Sequence, residues 1–179
     1  MTSTLKINNL ESATGSTITI PTGKHIVGTD AHSFRAPGMV LQTVNNGFRT
    51  YTQTSATSLS STGLAATITP IATSSKILVN VKVNGMYMNV AGGHIQLDIY
   101  RASSSVGTLT TTAAYKTAGD EASYGIYTNS YELLDSPSTT SATVYTLYWK
   151  VSSGTGYINN YNVGNTSSLT SITVQEIAQ

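Results

Sequence analysis

Charged residues are scarce in this sequence, and cysteine is absent. Its 179 residues include nine Lys and Arg and eight Asp and Glu, so 9% are charged, against about 25% in an ordinary soluble domain. The formal net charge of +1 argues against a surface for nucleic acid and against a polybasic membrane anchor. The lack of cysteine excludes disulfides and leaves the redox compartment open. A chain of this length needs no disulfide, because it buries roughly 70% of its unfolded surface.

Long apolar runs are also missing. No segment approaches the roughly 20 apolar residues that a membrane-spanning helix requires. The first residues, MTSTLKINNLESATG, contain no apolar core of the kind found in secretory signal peptides. We therefore expect neither a membrane partner nor a cleaved signal.

Hydroxyl side chains are abundant instead, with 53 Ser and Thr residues. A hydrophobic fraction of 39% and 11 tyrosines argue against disorder, so we expect a folded domain with a hydroxyl-rich surface. Because so little charge is present, little electrostatic repulsion opposes self-association.

Apolar residues recur at every second position in several short segments. KILVNVKVNG (76–85) and HIQLDIYR (94–101) each place Ile, Val or Leu on one face, and Gln96 and Asp98 of the second segment are predicted to face solvent. Further strand candidates are LAATITP (64–70), VYTLYWKV (144–151) and SITVQEI (171–177), and the turn signals between segments are GTD, PGM, NNG, TSS, AGG, SSG and VGN. No stretch of ten or more residues carries a helical apolar stripe. This pattern predicts an all-β antiparallel sandwich or barrel.

The stretch LLDSPSTTSATVYTLYWKV (133–151) joins two of these strands. Leu133 and Leu134 end one strand, and Asp135-Ser136-Pro137 predicts a sharp turn in which the Asp side chain caps its own backbone. In the next strand the inward residues are predicted to be Tyr145, Leu147, Trp149 and Val151. Tyr148 then lies on the outer face, either at a subunit interface, where Tyr is enriched, or as an ordinary exposed tyrosine.

The first 38 residues differ from the rest. LKINN (5–9) and STITIP (16–21) resemble strands but are separated by Gly, Pro and polar turns. We predict an extended N-terminal arm over 1–38 and a β-sandwich head over 39–179. The arm must bury its apolar residues, which include Leu5, Ile7, Ile18 and Ile20. It either packs on its own head or, as the preferred interpretation, docks on a sister subunit or another protein.

No catalytic, cofactor or metal site is predicted. The histidines are scattered at positions 25, 32 and 94, and no metal-binding spacing is present. Asp120 and Glu121 are adjacent in a loop, where such pairs are usually solvated; they are the best candidates if the protein were a polysaccharide hydrolase. Tyr145 and Trp149 could stack on sugars, but they share a face with Leu147, which favours the core or an interface.

Several phrases resemble small bacteriophage virion proteins that serve as head fibres, capsid decorations and tail-fibre tips. They are TSSKILVNVKVNG (73–85), IQLDIYRASSSVGT (95–108), LLDSPSTTSATVYTLYWKV (133–151) and SLTSITVQEIA (168–178), preceded by an arm-like segment, STLKINN…TGSTITIPTGKHIVGTD (3–30). The resemblance spans nearly the whole chain. It implies a jelly-roll head similar to the C1q and tumour-necrosis-factor type, and a homotrimer.

The sequence therefore predicts a non-enzymatic structural protein on the surface of a phage particle. The preferred hypothesis is a trimeric capsid decoration or head fibre, held through residues 1–38 by the major capsid protein or a tail component. The alternative is a receptor-binding tail-fibre tip whose loops, such as 102–125 and 152–168, recognise a host surface glycan.

Overall fold

The segments that alternate in the sequence form strands in the structure. A computed structural model describes residues 15, 17–28, 34–117, 127–159 and 168–179. The chain divides into two units, Met1–Phe34 and Arg35–Gln179, whereas the sequence analysis places the boundary after residue 38. Among the described residues no helix is long and apolar enough to cross a membrane.

The described part of the second unit contains ten strands. They are β1 (Val40–Phe48), β2 (Thr52–Thr54), β3 (Ser60–Ile68), β4 (Lys76–Met88), β5 (His94–Arg101), β6 (Ser104–Tyr115), β7 (Tyr127–Asp135), β8 (Thr143–Val151), β9 (Gly156–Ile158) and β10 (Thr170–Ile177). Every pairing between them is antiparallel.

The strand pairs are nested along the chain. β1 pairs with β10, β3 with β8, β4 with β7 and β5 with β6, as in one long hairpin that has been rolled up. Pairing of β10 with β4 and of β5 with β8 completes two four-stranded sheets, β1-β10-β4-β7 and β3-β8-β5-β6. Two short strands also belong to the first sheet. β9 pairs with the last two residues of β4, where β4 is no longer paired with β10, and β2 pairs with β9. This arrangement is a jelly roll, so the predicted all-β antiparallel sandwich is confirmed.

The core lies between the inner faces of the two sheets. Every predicted inward residue of β4, β5 and β8 is at most 2% exposed: Ile77, Val79, Val81, Val83, Ile95, Leu97, Ile99, Tyr145, Leu147, Trp149 and Val151. A register error of one residue would have turned these side chains to the outside. The inward faces predicted from the sequence for these three strands are therefore confirmed.

Three expectations about local structure are wrong. The predicted loop 152–168 contains the short strand β9, which pairs with β2 and β4. The predicted loop 102–125 contains β6, because the Thr-rich segment Ser104–Tyr115 has high β propensity and pairs with β5 along its length. The described part of the strand candidate at 16–21 forms no strand. A short extended segment needs a paired neighbour to satisfy its backbone groups.

Candidate functional site

The predicted docking residues of the arm fall in the first unit. Leu5 and Ile7 lie outside the described residues. Ile18 and Ile20 are 44% and 40% exposed, and Ile26 and Val27, which the sequence analysis did not single out, are exposed still more. The described segment 17–28 thus presents branched aliphatic side chains to water, which is unusual for a group of such residues.

Tyr148, the predicted interface residue, lies on the outer face of β8. Its ring stacks on that of Tyr100 from β5, with ring centroids 4.0 Å apart and an angle of 20° between the planes. Both side chains are half-buried. Tyr148 is therefore one half of an aromatic pair that crosses two strands of the β3-β8-β5-β6 sheet, rather than an isolated exposed tyrosine.

Asp98 lies directly opposite Tyr148 in the pairing of β5 with β8. It is on the predicted outer side of the strand but is only 3% exposed, so the expectation that it faces solvent is wrong. Gln96 Nε2 and Thr108 Oγ1 donate hydrogen bonds to its two carboxylate oxygens at 2.8 and 3.1 Å. Alternation along β5 correctly predicted that Asp98 lies on the outer face of the sheet. It did not predict that the side chains of Gln96 and Thr108 cover the carboxylate there.

Asp135 is also placed differently from the expectation. The sequence predicts that its side chain caps the following turn, whereas its Oδ2 accepts hydrogen bonds from Arg101 Nη1 at 2.7 Å and from Tyr145 Oη at 2.6 Å. Because Asp135 ends β7 and its two partners lie on β5 and β8, this cluster joins the two sheets. Burial raises the pKa of Tyr145 above its ordinary value, and the hydrogen bond to Asp135 acts in the same direction.

A second buried carboxylate, that of Glu176, points into the sandwich near the end of β10 and is fully shielded from solvent. It accepts hydrogen bonds from Gln42 Nε2 at 2.6 Å and from the Ile71 amide at 2.8 Å. Burial alone would raise the pKa of Glu176. The hydrogen bonds from Gln42 and Ile71, together with the Ala72 amide, hold the pKa of Glu176 below its ordinary value of 4.5. Glu176 thereby fixes the connection between β3 and β4.

These three carboxylates all have structural partners. Within the described ranges no group of three or more His, Cys, Asp or Glu side chains is arranged to hold a metal ion. Asp120 and Glu121, the candidates for a hydrolase, lie outside the described residues.

A row of three tyrosines was missed by the sequence analysis. Tyr157 on β9 lies between Tyr51, which precedes β2, and Tyr87 near the end of β4, with ring centroids 5.6 Å apart on each side. The angles between neighbouring ring planes are 33° for Tyr51 and Tyr157 and 25° for Tyr157 and Tyr87, so the second pair is stacked. Tyr51 is 42% exposed and the other two are half-buried.

The sequence carried little sign of this row. Tyr51 and Tyr87 are 36 positions apart in the numbering, and Tyr157 is 70 positions further on. They meet because β9 pairs with both β2 and β4. A three-residue strand such as β9 is too short for its alternation to be recognised in a sequence.

Comparison with known proteins gives no family for this chain. No family model matches it, and no curated protein matches it significantly in sequence. Similar solved structures include the VP2 subviral particle of infectious bursal disease virus, with 13% identity and a TM-score of 0.44, and that virus's Gt strain, with 11% identity and a TM-score of 0.45. Both matches cover 87% of this chain, which spans only 42% of the length of those proteins. Likenesses this remote identify neither a family nor a function.

Proposed function

We propose that this protein is a non-enzymatic structural component on the surface of a bacteriophage particle. In this proposal the jelly roll is a homotrimeric capsid decoration or head fibre. The N-terminal arm holds it to the major capsid protein or to a tail component. The proposal rests on the phrases that resemble phage virion proteins and on the jelly-roll fold in which those phrases lie.

The exposed aliphatic residues of segment 17–28 are the observation that carries the docking role. Ile18, Ile20, Ile26 and Val27 each leave 40% or more of their surface in water. Burying a side chain of this kind stabilises an association by about 1.5–3 kcal/mol when it becomes complete. A trimer presents three arms together, and simultaneous engagement of neighbouring sites raises the overall affinity without new kinds of contact.

Particle labelling tests the location. Gold-labelled antibody against the head should decorate intact virions, over the capsid for a decoration or head fibre and at the tail for a tip. An absence of label on every particle would overturn the virion proposal.

Substitution of the arm tests the docking role. Ile18→Ser combined with Ile20→Ser in the full chain should reduce the copy number on purified virions at least about tenfold, while the protein stays folded and soluble. Val144→Ser is the matched control, because Val144 is similarly exposed, at 37%, on β8 of the head. Normal incorporation of the double variant would show that this segment does not anchor the protein.

The Tyr100–Tyr148 pair is the proposed contact between subunits of the trimer. A half-buried aromatic pair on an outer sheet face resembles the aromatic-rich centres of protein interfaces. Native mass spectrometry should give a trimer for the wild type and mainly monomer for Tyr148→Glu. A trimer that is unchanged in Tyr148→Glu would place the interface elsewhere.

A receptor-binding tail tip is the second candidate. Tyr51 favours it, because its ring is 42% exposed and an exposed aromatic ring can contact a sugar. The segment 152–168, which the sequence analysis predicted to bind a host glycan, contains β9 and therefore Tyr157.

A further inference from the structure

An Asn-Gly pair, Asn46-Gly47, lies near the end of the edge strand β1. Among the described strands β1 pairs with β10 alone, and both residues of the pair are exposed to water. Asn46 Nδ2 donates a hydrogen bond of 2.8 Å to the carbonyl oxygen of Ala65 on β3. Because β1 and β3 belong to different sheets, this bond links the two sheets along one side of the sandwich.

The backbone amide of Gly47 is held against the side chain of Asn46. Gly47 N donates a hydrogen bond to Asn46 Oδ1 at 2.8 Å. Since Oδ1 is bonded to Cγ, the amide nitrogen lies close to the carbon atom with which it can close a five-membered ring. Glycine has no Cβ that would hinder this approach.

Packing against β10 requires glycine at position 47. A Cβ added to Gly47 would lie 2.9 Å from both Leu169 Cδ1 and the carbonyl oxygen of Thr170. The Thr170 backbone belongs to β10 and cannot move away without disturbing its pairing with β1. The same close approach that fits β1 onto β10 therefore keeps the reactive Asn-Gly pair in this strand.

We propose that Asn46 is a site of spontaneous deamidation, at which the side-chain amide becomes a carboxylate and the link from β1 to β3 is lost. Hydroxide removes the amide proton of Gly47, and the nitrogen attacks Asn46 Cγ. The Cγ–Nδ2 bond breaks, and Nδ2 leaves as ammonia after taking a proton from water. Water then adds to either carbonyl carbon of the resulting succinimide and gives aspartate or isoaspartate. The net reaction consumes one water molecule and releases one ammonia.

Either product lacks the Nδ2 donor of Asn46. A carboxylate at this position faces the carbonyl oxygen of Ala65, and two acceptors with no proton between them repel each other. In isoaspartate the main chain also runs through the former side chain, which adds a methylene group and shifts β1 against β10. The modification therefore loosens the side of the sandwich between β1 and β3.

A second Asn-Gly pair, Asn84-Gly85, provides a control within the same chain. Gly85 is buried, so hydroxide has little access to its amide. The backbone of Asn84 is held on both sides, because its N–H donates to Thr170 Oγ1 at 3.1 Å and its carbonyl oxygen accepts from Asn159 N at 2.9 Å. Ring closure at Asn84 is hindered for both reasons.

The test incubates the full-length protein at body temperature in mildly alkaline and in mildly acidic buffer. Peptide mass spectrometry with electron-transfer fragmentation follows both pairs, since it locates the modified residue and distinguishes aspartate from isoaspartate. We expect Asn46 to convert at least about tenfold faster than Asn84, which corresponds to an activation barrier lower by about 1.4 kcal/mol. Both products should form, and they should form faster in the alkaline buffer.

Asn46→Gln is the matched control, because glutamine keeps the amide donor but would have to close a six-membered ring, which forms far more slowly. The thermal midpoint of this variant should stay constant during the incubation, whereas that of the wild type should fall as Asn46 is converted. Asn46→Asp, which reproduces one product, should melt below the wild type before any incubation. Equal conversion of Asn46 and Asn84, a rate that does not rise with pH, or an unchanged thermal midpoint after conversion would each overturn the proposal.

Discussion

Removal of the Tyr145 hydroxyl should weaken the link between the two sheets at the Asp135 cluster. Tyr145 is fully buried, and its hydroxyl donates to a carboxylate oxygen at 2.6 Å. A hydrogen bond to a charged acceptor contributes about 1.5–3 kcal/mol. The Arg101–Asp135 ion pair adds only about 0–1 kcal/mol, because the Arg101 side chain is 32% exposed and water screens the pair.

Tyr145→Phe should therefore lower the free energy of unfolding by about 1.5–3 kcal/mol. Asp135→Ala should lower it by about 2–4 kcal/mol, since it leaves a buried hydroxyl and a cation without their acceptor. In the double variant the losses should not add, and the cycle should give a coupling energy of about 1.5 kcal/mol. Urea denaturation measures all four proteins, with Tyr148→Phe on the outer face of the same strand as a control expected to change stability by less than about 0.5 kcal/mol.

A coupling energy indistinguishable from zero would show that the Tyr145–Asp135 hydrogen bond contributes nothing that water does not replace. The pH dependence provides an independent check. Burial raises the pKa of Tyr145 above 10.0, so above that pH the unfolded chain releases a proton that the folded chain retains. The contribution of Tyr145 to stability is complete below pH 10. Above that pH the free energy of unfolding should fall by about 1.4 kcal/mol per pH unit for this group. Tyr145→Phe should reduce that slope without abolishing it, because the pKa values of Tyr51 and Tyr131 are raised as well.

Two further substitutions test the core and the connection between β3 and β4. Trp149→Ala should destabilise the head by about 3–5 kcal/mol in urea denaturation, because the ring is only 2% exposed; a near-neutral result would mean that the register of β8 is wrong. Glu176→Gln should cost about 2 kcal/mol at neutral pH, since an amide group would face hydrogen-bond donors. The pKa of Glu176 is lowered, so its contribution is complete above pH 4.5 and is lost as the pH falls below it. Acid titration of the variant should show a shallower loss than the wild type, and identical acid profiles would contradict this assignment.

The faces of the long strands follow from the amino-acid sequence alone. Alternation in β4, β5, β8 and β10 predicted these strands, and the inner faces predicted for β4, β5 and β8 are buried in the structure. This succeeds because the side-chain period of a strand is two and one face of each sheet must leave water. The resemblance to phage proteins added the jelly roll, which the nested strand pairs confirm.

The surroundings of each polar side chain, by contrast, depend on how distant strands pack together. Asp98 lies on the predicted outer face but is covered by Gln96 and Thr108, and Asp135 binds across the sandwich instead of capping its own turn. The tyrosine row likewise exists because β9 inserts between β2 and β4. Alternation predicts on which side of a strand a residue lies, because that is a local property of the backbone. Which strands become neighbours depends on packing between distant parts of the chain, and that alone brings these residues together.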